Sequence, residues 1–133
     1  MGLKALMQVG QNMSTFQWRL RHRLPVVSHR TEYPWGKHKQ EDIDLPTGAF
    51  LMLSDLLNGR YDAWFPKLVW LPIRGFYLPQ RSGGSWYHLH PKQRIECVVL
   101  SCAGERRLYW VMLVPNPQIV SLAVWPKVQY YYI

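Results

Sequence analysis

The chain has 133 residues, 48% of them hydrophobic, enough to bury one domain's core without a metal or a disulfide. Two cysteines are too few for a secreted disulfide framework and point to a reducing, cytoplasmic setting. No apolar run approaches the roughly 20 residues of a membrane-spanning helix; the longest is Leu108–Val114.

The net charge of +8 is spread unevenly. Residues 1–40 hold seven Lys/Arg against one Glu, residues 41–62 one Arg against five Asp/Glu, and residues 63–133 eight against two. A basic protein interrupted by an acidic stretch suits a polyanionic partner engaged through selected faces.

Residues 1–40 read as a basic, partly irregular N-terminal arm ahead of a single globular domain over 41–133. The arm has no acid before Glu32. Such a start also fits an organelle transit peptide, although serines are sparse, and the cytoplasm is the preferred reading. Leu6 stands where a myristoylation signal needs Ser or Thr. Met13 offers an alternative start that would leave residues 1–12 dispensable. If extended, Phe16, Trp18 and Leu20 share one face, with Gln17, Arg19 and Arg21 on the other. Pro25 ends or edges that strand. Pro34, Gly36 and the charges around them predict an exposed loop.

The main helix is expected over Thr47–Asn58. Phe50, Leu53, Leu56 and Leu57 share a helical face, Asp44 or Thr47 supplies a cap, and Asn58-Gly59 a left-handed stop. The apolar run Ala49–Leu53 is also compatible with a buried strand. From Pro66 onward the chain reads as β. "KLVWLPIRGFYL", broken by Pro72 and Gly75, suggests a bent or edge strand. "RIECVVLS" and "RLYWVMLV" flank Gly104 as a hairpin, with Val98, Leu100, Trp110 and Val111 buried. "QIVSLAVW" and "KVQYYYI" are further strands, the last able to pair with a second copy as an edge. The expected fold is therefore α+β: a small antiparallel meander or partly open barrel in the C-terminal half, with one main helix packed on it.

His88, His90, Cys97 and Cys102 are metal-binding types, but on a continuous strand Cys97 and Cys102 point to opposite faces. No paired-cysteine knuckle is present, so neither a metal nor a cofactor is expected. Cys97 reads as a buried hydrophobe and Cys102 as a strand end. His88 and His90 share a face with Trp86, opposite Tyr87 and Leu89. One imidazole acting as base and one as acid would make a ribonuclease, a minor alternative. Ser82-Gly83-Gly84-Ser85 lacks the lysine of a phosphate-binding loop. The acids Glu41, Asp42, Asp44, Asp55 and Asp62 match no calcium loop and read as caps and solvated surface.

Cations interleaved with aromatics form the remaining pattern: Trp18 with Arg19, Arg21 and Arg23, then Arg30, then Trp35 with Lys37 and Lys39, then Trp86 with Arg81, Lys92 and Arg94. Cations neutralise phosphates and exposed rings stack unpaired bases, a combination suited to single-stranded nucleic acid or RNA. The sequence therefore points to a small basic nucleic-acid-binding accessory protein without catalysis. The alternative is a protein-binding adaptor or inhibitor, because Trp, Tyr and Arg also dominate protein interfaces.

Overall fold

A computed structural model describes residues 3–9, 11–18, 23–26, 31–71, 73–80, 83–114 and 125–130. In chain order these form β1 (Lys4–Val9), β2 (Asn12–Gln17), β3 (Arg23–Val26), β4 (Thr31–Pro34), β5 (Phe50–Met52) and α1 (Leu53–Leu57). After a 3-10 turn at Asp62–Trp64 come β6 (Lys67–Leu71), β7 (Ile73–Gln80), β8 (Gly83–His88), β9 (Gln93–Cys102), β10 (Glu105–Leu113), β11 (Trp125–Pro126) and β12 (Val128–Tyr130). The fold is mostly β, not α+β, and among the described residues no main helix covers a sheet.

The first sheet is four-stranded and antiparallel, in the order β2-β1-β7-β8. The second is six-stranded and centred on the β9–β10 hairpin, with β6 on β9 and β5 on β10. The expected bent strand divides between them: Lys67–Leu71 belongs to the second sheet and Ile73–Gln80 to the first. β9 and β10 part beyond the Cys97–Trp110 pair, and the 125–130 segment enters the gap. There the Lys127 amide donates to the Val111 carbonyl, and the Lys127 carbonyl accepts from the Glu96 amide.

The hairpin is buried on both faces, which explains its two near-continuous apolar runs. Ile95, Cys97, Val99, Leu108, Trp110 and Met112 face the first sheet, where they join Ala5, Met7, Phe76 and Leu78 in the main core. Trp110 stacks on Trp35 with ring centroids 5.0 Å apart and meets Phe76 edge-on at 6.2 Å. Val98, Leu100, Tyr109 and Val111 face the other way, under Leu45, Leu51 and Tyr61. Val98, Leu100, Trp110 and Val111 are all buried as expected. Arg107 is also on this second side. It donates to both carboxylate oxygens of Glu41, at 3.0 and 2.7 Å, and to the Gly36 carbonyl.

The helix expected over Thr47–Asn58 shrinks to Leu53–Leu57. The Trp110 amide donates to the Ala49 carbonyl, and Phe50–Met52 pair in parallel with Trp110–Met112. A sheet edge thus supplies the backbone partners that a helix would have provided internally. The stop at Asn58-Gly59 holds, with Gly59 at φ +80°. No helix among the described residues is long and apolar enough to cross a membrane.

The N-terminal region is structured where it is described. β1 lies between β2 and β7, and Leu3, Ala5 and Met7 are core residues. Residues 1–12 therefore contain a central strand and are not dispensable to the sheet. Phe16 and Trp18 both pack on the main core, in agreement with the alternation read from the sequence.

Candidate nucleic-acid interface

The first sheet presents its inner face to the core and its outer face to solvent. Register defines two rows across that outer face: Gln17–Lys4–Tyr77–Trp86 and Thr15–Leu6–Gly75–His88. Thr15, Gln17, Trp86 and His88 are exposed, Trp86 to 40%, while Lys4 and Leu6 are half-buried. Trp86 and His88 project outward, whereas Tyr87 and Leu89 pack toward the core, the division that alternation requires.

Tyr77 is held in place from three sides. The Lys4 ammonium lies 4.9 Å from its ring centroid, and the Trp86 ring is 5.6 Å away at 58°. Its hydroxyl end lies over Gly84, where an added β-carbon would come within 2.1 Å of the phenolic oxygen. A glycine on an edge strand covered by a neighbouring aromatic is a recurrent sheet device. At Gly75 the obstruction is backbone instead, since a β-carbon there would lie 2.9 Å from the Tyr87 carbonyl oxygen.

Electrostatically this sheet is one-sided. Neither 1–31 nor 63–95, the segments that supply its four strands, contains an Asp or Glu. Lys4 and Arg74 are its cations; Arg74 is half-buried where the β1–β7 register shifts by one residue. Nothing on these strands cancels their field.

The other sequence-selected residues are distributed differently. Trp35 is only 1% exposed, sandwiched on Trp110 with its indole N–H donated to the Ala49 carbonyl, so it cannot offer a ring to a base. Trp18 donates to the Trp35 carbonyl and stacks on His38 at 4.4 Å. Gly36 and Lys37 pair with Leu108 and Gly48 in the fold, so this segment is less open than the expected loop. Lys39 and Lys92 are exposed. The Arg94 guanidinium lies 4.3 Å over the Trp70 ring, on the second sheet. Arg19, Arg21, Arg30 and Arg81 lie outside the described residues, and of Arg23 only the backbone pairing with Pro34 is described.

His90 follows β8 in a tight turn. Its Nδ1 accepts from the Lys92 amide, and its own amide donates to Gln93. His90 thus lies in the turn, while the exposed His88 sits at the end of the strand. Cys97 packs in the main core and Cys102 against the second cluster, facing opposite layers as the strand period requires. Burial pushes the Cys97 thiol well above its ordinary range. No group of three His, Cys, Asp or Glu that could hold a metal occurs among the described residues.

No family model, curated protein or solved structure matches the chain.

Lys4 and Tyr77 were not among the residues picked from sequence. They meet across a strand pair whose members are far apart in the chain. The only advance signal was the shared lack of acid in the two segments.

Proposed function

We propose that this protein binds single-stranded nucleic acid or RNA, without catalysis, through the outer face of its first sheet. The observation that carries the reading is a solvent-open sheet face with an exposed Trp86, the Lys4 cation in the same row, and no carboxylate on any of its strands. An open aromatic sheet face stacks bases irrespective of sequence, and adjacent cations neutralise phosphates. Arg19, Arg21 and Arg23 add charge close to β2 in the chain. Residence in the cytoplasm belongs to the same reading, supported by two free thiols.

Affinity for single-stranded RNA and DNA at several salt concentrations tests it. Log affinity should fall linearly with log salt, by about 0.7 per phosphate neutralised. Arg19/Arg21/Arg23→Ala should reduce that slope by about two units. Binding no tighter than about 0.1 mM near physiological salt would exclude the proposal.

A protein-binding role is the second reading. Leu57 and Phe65, each 77% exposed and away from the first sheet, favour it. Contacts made by such residues change little with salt.

A further inference from the structure

Resting on the nucleic-acid reading of this face, we infer that the first sheet takes one unpaired base, stacked on Trp86, within a footprint of about three nucleotides that crosses the strands. The count of one base follows from the two rings on the face. Tyr77 is only 8% exposed: Lys4 covers it on one side, and its hydroxyl end fills the space above Gly84. The Tyr77 and Trp86 rings are tilted by 58°, so they do not form one flat shelf. Trp86, 40% exposed, is the open ring among the described residues of this face.

The direction follows from where charge lies relative to that ring. Lys4 shares a row with Trp86 and sits two strands away, about 10 Å. His88 is the next outward residue on β8, about 7 Å along the strand. In the opposite direction the outward position among the described residues of β8 is Gly84, which has neither charge nor ring. A strand whose base sits on Trp86 therefore meets the Lys4 ammonium by running from β8 across β7 to β1. Thr15, exposed on β2 at the far edge, presents a hydroxyl to a base edge or sugar. Four strands span about 14 Å, which limits the path to a few nucleotides.

The test is a length series of labelled oligouridylates and oligothymidylates, from one nucleotide to about twelve, read by fluorescence anisotropy at low salt. It is run with the full chain and with Trp86→Ala and Trp86→Phe. With Arg19, Arg21 and Arg23 replaced by Ala, so that the sheet face alone contributes, affinity should rise to a length of about three and thereafter only with the number of binding registers. Trp86→Ala should weaken the trimer by about 5- to 150-fold, the range of one stacked base, and Trp86→Phe should restore most of it. In a trimer with one base removed in turn, a single position should account for most of the loss. Two outcomes overturn the inference while leaving the nucleic-acid reading in place: affinity of the arginine-replaced chain climbing steeply through the whole series, or Trp86→Ala binding as well as wild type. If the wild-type chain binds no oligonucleotide, the nucleic-acid reading itself falls and the face is left to a protein partner.

Discussion

Arg107 and Glu41, 66 residues apart in the chain, form a two-pronged ion pair whose side chains are 3% and 8% exposed. Arg107 also holds the Gly36 carbonyl, so the pair ties the 36–48 loop to the middle of the second sheet. Leaving a buried charge without its partner typically costs about 3–5 kcal/mol; Arg107 keeps a second carboxylate, the half-exposed Glu105 at 3.5 Å, so the loss here falls below that range. Glu41→Gln should therefore lower the midpoint of urea unfolding markedly at neutral pH.

The same pair sets an acid limit. Hydrogen bonds from Arg107 are the largest influence holding the Glu41 carboxyl below its ordinary value of 4.5. The native state thus resists protonation more than the unfolded state does. The stabilisation is complete above the unfolded value and is lost as pH falls through the lower native one. Urea midpoints measured from pH 7 downward should show that loss in wild type. In Glu41→Gln this component should be missing.

Ala103 and Gly104 make the two-residue turn between β9 and β10, with φ of +49° and +84°. Positive φ at both positions is the turn that matches strand twist, and it suits Asn-Gly far better than Ala-Gly. Ala103 is exposed, and as an L-residue with a β-carbon it holds left-handed geometry at a steric cost. Ala103→Asn should stabilise the protein by about 0.5–1 kcal/mol. Thermal unfolding should then shift upward by a few degrees.

The hairpin was readable because two long apolar runs flank one glycine, and that pattern has few alternatives. The Thr47–Asn58 helix was not, because Phe50, Leu53 and Leu57 fit a helical stripe while the deciding interaction is non-local. Only the folded chain brings Trp110 alongside Ala49 and Phe50. The outer face of the first sheet was half legible. Alternation along β8 put Trp86 and His88 together. The row that adds Lys4 and Tyr77 depends on pairing between strands from opposite parts of the chain.

β1 is the second strand of the first sheet; with Leu3 just before it, its Ala5 and Met7 join the core, none of the three more than 6% exposed. Deleting residues 2–12 should remove this strand, leave β2 and β7 without their shared partner, and abolish cooperative unfolding. A shortened chain beginning at Met13 with wild-type stability would refute this account of the sheet.

The two thiols should react in sequence. Cys97 is fully buried in the main core with its thiol pushed up by burial, whereas Cys102 is half-buried at the end of β9. The thiolate is the reactive form, so native protein should be modified once by an aromatic disulfide reagent. The second equivalent should appear only with urea. Equal rates at both thiols would contradict the placement of Cys97.

Gly84 and Tyr77 give the sharpest test of how the outer face is built. A β-carbon at Gly84 would sit 2.1 Å from the Tyr77 phenolic oxygen, far inside van der Waals contact, so the ring must move. The obstruction is the far end of a side chain and not backbone, so Gly84→Ala should fold, with a stability loss of about 1–2 kcal/mol from the displaced ring. Tyr77→Leu should cost stability alone, through lost contact with Lys4 and Trp86. Together the two substitutions should cost less than the sum of each, because the shortened side chain no longer meets the new methyl group. Urea unfolding of the two single variants and the double variant measures that coupling. Additive effects would mean that the Tyr77 ring does not rest over Gly84 in solution.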